Sequence, residues 1–368
     1  MPFFLHQIKT RGEKGKTFST LKFYPNCLKI WFDILTPKHL LFLEPMMKKL
    51  GKNHKILCTS RNYGQVLDLA RIKHVKLLVV GRHGGSARKD KLQASARRID
   101  RLTDIVSKFS PDLAISSGSP EAARVAFGLG IRHVAFSDSP HAEAVMRLTV
   151  PFLQKLLIPW VIPKEDFERY GIAKKDIVQY RAIDAASIVA GKQGVKPLKL
   201  GNKRKVVVIR LEESAAAYVL GKKSVSDKII AEFAKEGDNY NVIVLARYKD
   251  QANRIRKEFG AKVRVVGRAV DGKLLLSSTN LFVGSGGTMT AEAALMGVPT
   301  ISYDAVPNHI EKYLIRTGLA RRETDPKKIV ILAKTMLERR NYSRDRARKI
   351  LNSMEDPYTK LLSVIRSL

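Results

Sequence analysis

Cysteine is almost missing from this sequence. Only Cys27 and Cys58 occur among 368 residues, which excludes a disulfide-stapled scaffold and the cysteine spacing of a structural zinc site. Proteins with so little cysteine are typical of reducing compartments, so we expect an intracellular protein.

Long hydrophobic runs are also missing. No stretch reaches the roughly 18 to 20 apolar residues that a membrane-spanning helix requires. Residues 1–29 carry six Lys or Arg and one Glu, without an apolar core of signal-peptide length before a cleavage site. We therefore predict a basic N-terminal arm over 1–29 and a cytoplasmic protein that is not integral to a membrane.

Acidic residues are scarce beside basic ones. Lys and Arg number 67 against 34 Asp and Glu, a formal net charge of +33. Such an excess is typical of proteins that meet anionic membranes, nucleic acid or polyanionic substrates, and a merely solvated basic surface is the alternative. Aromatic residues make up only 7% and no RNP-like motif occurs, which disfavours nucleic acid as the partner because base stacking needs aromatic platforms.

What the chain does contain is an alternation of short apolar runs with amphipathic segments. This pattern indicates βα units around parallel sheets, and it occurs twice, on either side of the Gly- and Lys-rich stretch "GKQGVKPLKLGNKRK". We predict five strands in each half, and two doubly wound, Rossmann-like domains that face a common cleft. The predicted boundaries are a first domain at 30–187, a linker at 188–204, a second domain at 205–355, and a C-terminal helix at 356–368 that crosses back onto the first domain.

One stretch, "VGSGGTMTAEAALMGVPTISY" (283–303), joins a strand to a helix through three glycines. Amide groups at the start of a helix, next to residues without side chains, favour an anion such as phosphate. Glu292 lies about one turn inside the helix, where its carboxylate can accept hydrogen bonds from vicinal hydroxyls, and Gly297 and Pro299 end the helix. The alternative is that the glycines only permit a tight turn and that Glu292 is a helix-end charge.

The same stretch resembles the nucleotide-sugar motif of the GT-B superfamily, which includes lipid-linked muramyl-peptide N-acetylglucosaminyltransferases and UDP-N-acetylglucosamine 2-epimerases. The interval from Ser285 to Glu292 matches the transferase version of that motif. The segments "WFDILTPKH", "VVGRHGG", "FSDSPHAEA", "VVIRLEESAAAY" and "LARYKDQ" resemble an uncharacterised archaeal and bacterial branch of the superfamily. After the first strand, however, the glycine-rich loop of the muramyl-type transferases is replaced by "DILTPKHLLF".

The resemblance implies a GT-B architecture, a UDP-type sugar nucleotide as donor and no further cofactor. It assigns the diphosphate to Ser285, Gly286, Gly287 and Thr288, and the ribose to Glu292. In "VVGRAVDG", Gly267 and Arg268 occupy the place where relatives contact the base through backbone groups.

Candidates for catalysis lie at the predicted strand ends of the first domain. Glycosyl transfer with inversion needs a base near the attacking hydroxyl, and Asp or His usually serves. We predict Asp138 or His39 as that base, with His141 beside Asp138. A 2-epimerase needs several carboxylates and a histidine, whereas only Asp138 and Glu143 lie close together here, which favours transfer. Further polar strand-end residues are Asp33, Thr36, Arg82, His83, Ser117 and Ser119.

In the second domain, Arg210 and Arg247 end strands and can neutralise a leaving diphosphate, although each is equally explained as a surface charge. No Asp-x-Asp pair exists in the sequence. We therefore expect no metal, with the helix dipole and arginine holding the diphosphate instead.

The leading hypothesis is a metal-independent GT-B glycosyltransferase that moves a sugar from a UDP-type donor to an envelope or glycolipid acceptor. The alternatives are a 2-epimerase on the same fold and a basic nucleic-acid-binding module. Residues 147–163, "RLTVPFLQKLLIPWVIP", predict either a buried helix and strand or, through Trp160, a segment that dips into an anionic membrane surface. The second option would make the protein peripheral at the inner face of the cell membrane.

Overall fold

The computed structural model describes residues 27–85, 87–190, 204–212, 224–246, 248–267, 270–303, 306–338 and 344–368. Outside these ranges lie Arg247 and Arg268 of the predicted donor site, residues 1–26 of the predicted arm and 191–203 of the predicted linker. The described residues form two parallel sheets with interleaved helices, as the sequence predicts.

The N-terminal sheet has the strand order β3-β2-β1-β4-β5-β6-β7, and all neighbouring strands are parallel. Its strands are β1 (Lys29–Ile34), β2 (Lys55–Asn62), β3 (Leu78–Arg82), β4 (Leu113–Ser116), β5 (Arg132–Phe136), β6 (Lys155–Pro159) and β7 (Ile177–Tyr180). The helices of this half are α1 (Pro37–Leu50), α2 (Gly64–Ile72), α3 (Arg88–Phe109), α4 (Pro120–Gly128), α5 (Glu143–Arg147), α6 (Glu165–Glu168) and α7 (Asp184–Val189).

Strand β1 shows why the central strands are apolar runs. Ile30 and Phe32 are buried in one core cluster with residues of α1, whereas Trp31 is buried in another cluster with residues of α3 and α4. Both faces of a parallel sheet are covered by its crossover helices, so alternation of apolar and polar residues is lost. The carboxyl ends of these strands meet at one edge, where ligands bind in doubly wound folds.

The C-terminal sheet repeats this arrangement with the order β10-β9-β8-β11-β12-β13. Its strands are β8 (Lys205–Arg210), β9 (Tyr240–Leu245), β10 (Arg264–Val266), β11 (Leu281–Gly284), β12 (Thr300–Ser302) and β13 (Arg321–Arg322). The helices are α8 (Val225–Lys235), α9 (Lys249–Phe259), α10 (Gly272–Ser277), α11 (Thr288–Leu295), α12 (His309–Arg316), α13 (Pro326–Glu338), α14 (Arg344–Asn352) and α15 (Pro357–Ser367). Helix α15 lies against β6 and β7 of the N-terminal sheet.

The segment 147–163 forms part of the N-terminal sheet. Leu156, Leu157 and Ile158 of β6 are buried, and the Trp160 ring packs edge-on against Tyr313 of α12, with 5.2 Å between ring centroids. The buried alternative is therefore the one observed for β6, and Trp160 is half-buried against Tyr313. Among the described residues, no helix combines the length and apolarity needed to cross a membrane.

The two sheets are held together by packing and by polar side-chain contacts. Helix α11 packs on α7, and one core cluster contains residues of both halves, including Ala186 and Ala294. Lys73 Nζ lies 3.0 Å from Asp271 Oδ2, and His309 Nε2 lies 2.7 Å from Asp166 Oδ2. These contacts fix a narrow space between the carboxyl end of the N-terminal sheet and α11.

Candidate functional site

That space is a cleft with a cavity of about 140 Å³ lined by both halves of the protein. Of the predicted site residues, Asp138 and His141 from one half and Gly286, Gly287 and Thr288 from the other lie on its walls. Further polar lining residues are Lys38, Ser139, Asp184, Thr290, Asn308 and Glu311.

The turn between β11 and α11 needs glycine at three positions. Gly286 and Gly287 have φ angles of 78° and 81°, a region that residues with a Cβ rarely adopt. A Cβ on Gly284 would lie 2.6 Å from Thr290 Oγ1, and the Thr290 hydroxyl donates to the Gly286 carbonyl at 2.9 Å. Because the first amides of a helix have no partner within it, this turn directs N–H groups and the positive end of the helix dipole to the cleft, which favours an anion.

Lys38 joins two carboxylates on the opposite wall. It is the second residue of α1, whereas Asp138 follows β5 and Asp184 begins α7. The Lys38 ammonium contacts Asp138 and lies 2.9 Å from Asp184 Oδ2. The Tyr180 hydroxyl donates to the other oxygen of Asp184, and the Ser139 hydroxyl donates to Asp138 at 2.8 Å. These bonds hold both carboxylates in fixed orientations.

The two carboxylates have different proton affinities. Burial alone would raise the pKa of Asp138, but the Lys38 ammonium outweighs burial and holds that pKa below its usual range. Asp184 is only 2% exposed; burial raises its pKa, and the charge of Asp138 acts in the same direction. A pair of carboxyl groups with separated pKa values supplies one proton acceptor and one proton donor.

His39 follows Lys38 at the start of α1. Burial, and next the positive charge of Lys38, lower the pKa of His39 to about 3, so its imidazole is neutral at neutral pH. Its Nδ1 has no hydrogen-bond partner in the part of the chain that is described. Asp138 lines the cavity, whereas His39 is not among its lining residues, so Asp138 is the better placed of the two predicted bases. His141 lies exposed on the cleft wall.

Three charged residues of the cleft were not predicted from the sequence: Lys38, Asp184 and Glu311. Glu311 is the third residue of α12, where its N–H donates to the capping Asn308 at 3.0 Å and its carboxylate accepts from Ser302. With Asp184 and Glu311, three carboxylates reach the cleft. The argument that too few carboxylates are present for an epimerase is therefore wrong.

Glu292 lies on α11 beside α10 and not on the cavity wall. A Cβ on Gly272 of α10 would be 3.2 Å from Glu292 Oε2. Burial, and next the charge of Asp271, raise the pKa of Glu292 to about 8, while Arg210 at the end of β8 and Lys73 act in the opposite direction. The structure thus brings the predicted Glu292 and Arg210 into one electrostatic environment, and neither is among the residues that line the cavity.

The remaining predicted residues divide between the donor side and the core. Gly267 follows β10, where a Cβ would come within 3.0 Å of Ala252 Cβ, and Ser285 is half-buried at the glycine turn. Asp33 does not face the cleft: both of its oxygens accept from the buried Arg98, at 2.5 and 3.1 Å, and Thr59 and Ser119 donate to it as well.

Within the described ranges, no cluster of three His, Cys, Asp or Glu side chains is placed to hold a metal ion.

Comparisons of the sequence with known proteins identify a family and a relative of similar length. Residues 28–367 match the family described as Protein of unknown function (DUF354). An uncharacterized protein of Methanocaldococcus jannaschii is 29% identical over 343 residues, which cover 90% of this chain and 95% of that protein.

Two solved structures show the architecture. The UDP-GlcNAc 2-epimerase of Neisseria meningitidis, bound to UDP-GlcNAc, has a TM-score of 0.72 at 15% identity and covers 93% of this chain and 100% of its own. The spinosyn forosaminyltransferase SpnP has a TM-score of 0.62 at 16% identity, with the same coverage of 93% and 100%. At these identities the likeness concerns the fold, and it confirms the predicted GT-B arrangement of two Rossmann-like domains.

Proposed function

The chain belongs to the family described as Protein of unknown function (DUF354), and we propose that it is a GT-B glycosyltransferase that moves a sugar from a UDP-type donor to an envelope or glycolipid acceptor. The observation that carries this proposal is the cleft in which Lys38, Asp138 and Asp184 face the glycine turn of α11. An anion site and an ordered carboxylate pair on opposite walls are what transfer of a sugar away from a diphosphate requires. An acceptor of this kind places the protein at the inner face of the cell membrane.

The donor fits along α11. Its diphosphate would lie at Gly286, Gly287 and Thr288, its ribose toward Glu292, and its base toward Gly267. Pockets for drug-sized ligands usually measure about 300 to 1,000 Å³, so the 140 Å³ cavity suits the sugar and the adjoining phosphate only. The nucleoside would then extend outside the cavity, on the side of α11 where Glu292 and Arg210 are found.

Asp138 is the base in this mechanism. The Lys38 ammonium keeps its carboxylate ionised, so it can accept the proton of an acceptor hydroxyl as that oxygen attacks the anomeric carbon. The bond from the anomeric carbon to the diphosphate oxygen breaks, and the released negative charge falls on the amides of α11. Asp184, with its raised pKa, remains hydrogen bonded to Tyr180 and holds Lys38 in place.

The same carboxylates also support a second candidate, a 2-epimerase. Removal of a proton beside the anomeric carbon and its return from the opposite face need groups on both sides of the sugar. Asp138 and Asp184 lie on one wall and Glu311 comes from the other half of the protein, so the cleft provides both sides.

Donor binding and reaction type are tested separately. We expect UDP or a UDP-sugar to stabilise the protein with a chelator present, by about 2.7 kcal/mol at a concentration of 100 times Kd. If no nucleotide shifts the unfolding transition, with or without metal, the protein is not a sugar-nucleotide enzyme.

For the reaction type, UDP-GlcNAc is incubated alone in D2O. Recovery without deuterium at C2 is expected for a transferase, whereas deuterium at C2 with formation of the C2 epimer assigns an epimerase. Asp138→Asn is incubated in parallel, because it removes the proposed base while replacing only one carboxylate oxygen by an NH2 group.

A further inference from the structure

A second pocket, of about 400 Å³, opens between edge strand β3 and helix α3. The side chains of Arg82, Arg97 and Arg101 converge on it. Arg97 and Arg101 are four residues apart on α3 and therefore lie on the same face of the helix, while Arg82 is the last residue of β3. Asn62, at the end of β2, adds an amide to the same wall.

The end of β3 and the loop after it lie directly against α3. A Cβ on Gly84 would come within 2.5 Å of Lys91 Cα, and one on Gly81 within 3.2 Å of the Arg98 side chain. Glycine at both positions allows the segment "GRHGG" to lie directly on α3. This contact fixes the distance between Arg82 and the two arginines of the helix.

The three arginines differ from their neighbour Arg98. Arg98 is buried and bonded to Asp33, whereas Arg82, Arg97 and Arg101 are exposed and form no ion pair or hydrogen bond within the described residues. Like charges that converge on one cavity repel each other, and a bound anion relieves that repulsion. Guanidinium groups bind phosphate oxygens in pairs with matched geometry.

Exposed apolar side chains also lie on β3 at the pocket. Val79, which lines the pocket, is 44% exposed, and its neighbour Leu78 is 45% exposed. A soluble phosphate would use only the arginines, but an amphiphile uses both parts of this surface. Its phosphate can enter the pocket while Val79 and Leu78 meet the boundary between head groups and acyl chains.

We propose that the pocket between β3 and α3 binds the phosphate group of an anionic phospholipid and docks the N-terminal half of the protein on the membrane. Neighbouring strands lie about 4.8 Å apart, so Arg82 at β3 is roughly 19 Å from Asp138 at β5 along the same edge of the sheet. Docking there leaves the cleft beside the lipid surface. The proposal stands independently of the sugar-nucleotide chemistry.

The test compares two double variants of the full-length protein that remove equal charge. Arg97→Gln with Arg101→Gln removes two of the three arginine charges that line the pocket, and Lys52→Gln with Lys108→Gln removes two exposed lysine charges elsewhere. Co-sedimentation is measured with phosphatidylglycerol-containing vesicles and with phosphatidylcholine vesicles at about 0.15 M salt. We expect binding to phosphatidylglycerol only, and a loss in the arginine variant at least tenfold larger than in the lysine control.

Val79→Ser provides a second readout, because it changes an exposed apolar side chain of the pocket and leaves the arginines in place. It should reduce the part of vesicle binding that resists high salt. Thermal unfolding of each variant is measured alongside.

Equal losses in the two double variants would mean general attraction to a +33 protein and would overturn the proposal. So would inorganic phosphate binding by calorimetry, or RNA binding, that depends on Arg97 and Arg101 while vesicle binding does not.

Discussion

Binding of UDP should release a proton from Glu292. In the free protein, burial and the charge of Asp271 raise the pKa of this carboxyl to about 8. A ribose that donates hydrogen bonds to the carboxylate favours the ionised form, because hydrogen bonds to a charged group stabilise that charge. The proton that Glu292 carries before binding must therefore leave.

The size of the effect follows from that pKa. With a pKa of about 8, Glu292 is roughly 90% protonated at pH 7, so binding of one UDP should release about 0.9 proton. By the same linkage, the association constant should rise about tenfold between pH 7 and pH 9, mostly below pH 8. Between pH 7 and pH 9 the phosphate group of the ligand stays almost fully ionised, because its second pKa is near 6, so its titration adds little to the effect.

Isothermal calorimetry in two buffers of different ionisation enthalpy measures the proton count directly. Glu292→Gln should abolish proton release and the dependence on pH, and weaken binding at pH 9 by about 1 to 3 kcal/mol. Glu258→Gln on α9 is the matched control and should behave as the unaltered protein. Proton release that persists in Glu292→Gln, or an affinity that is flat from pH 7 to pH 9 in the unaltered protein, would refute the ribose contact.

Four further outcomes are expected. The raised pKa of Glu292 stabilises the folded protein fully below about pH 4.5, the pKa of this carboxyl in the unfolded chain, and that contribution is lost as pH rises to about 8. The free protein should therefore become less stable in urea over this pH range, and Glu292→Gln should remove that loss. Asp138→Asn should lower turnover by about 10²- to 10⁴-fold in steady-state kinetics while UDP affinity is kept; a change in affinity alone would contradict its role as base. Arg98→Met should lower the free energy of unfolding by about 3 to 5 kcal/mol by leaving Asp33 buried and unpaired, and adding Asp33→Asn should recover most of it. Gly287→Ala should cost about 1 to 3 kcal/mol, because φ of 81° with ψ of −170° is a region that only glycine adopts readily, with no added clash since its Cβ would meet no neighbouring atom; the new methyl group beside the proposed diphosphate position should also weaken UDP binding in calorimetry.

The fold could be predicted where strands are buried on both faces. The apolar runs of β1 and β8 stand out in the sequence because helices cover both sides of each sheet. Five strands were predicted in each half, and strands β7 and β13 were missed because they have only four and two residues; β6 was predicted only as one of two alternatives because Pro159 and Pro163 interrupt its apolar pattern. Proline has no N–H to donate, and it is tolerated at Pro159 because this is the last residue of β6; the next N–H, that of Trp160, donates to the Tyr180 carbonyl at 2.9 Å.

Two parts of the cleft lining could be predicted: the glycine turn, which is local in sequence, and Asp138 with His141, which follow a predicted strand. Gly286 and Gly287 belong to one strand-turn-helix unit, whose chemistry depends on its own backbone. Lys38, Asp138 and Asp184 come from three separate strand ends, and only the order of strands in the sheet brings them together. Asp184 follows the missed strand β7, so its position at the cleft was hidden by the same omission.

The two halves of the protein are linked through the electrostatics of Glu292. Lys73 belongs to the N-terminal half, is paired with Asp271, and lowers the pKa of Glu292. If the halves move apart, this cation is withdrawn and the pKa of Glu292 rises further, which disfavours the ionised form that a ribose requires. Under the proposed function, approach of the halves, ionisation of Glu292 and nucleotide binding would therefore favour one another, because coupling of this kind is reciprocal. In the arrangement described, Asp138 also lies across the cleft from the glycine turn, so the arrangement that lowers the pKa of Glu292 would also hold the proposed base across from the diphosphate.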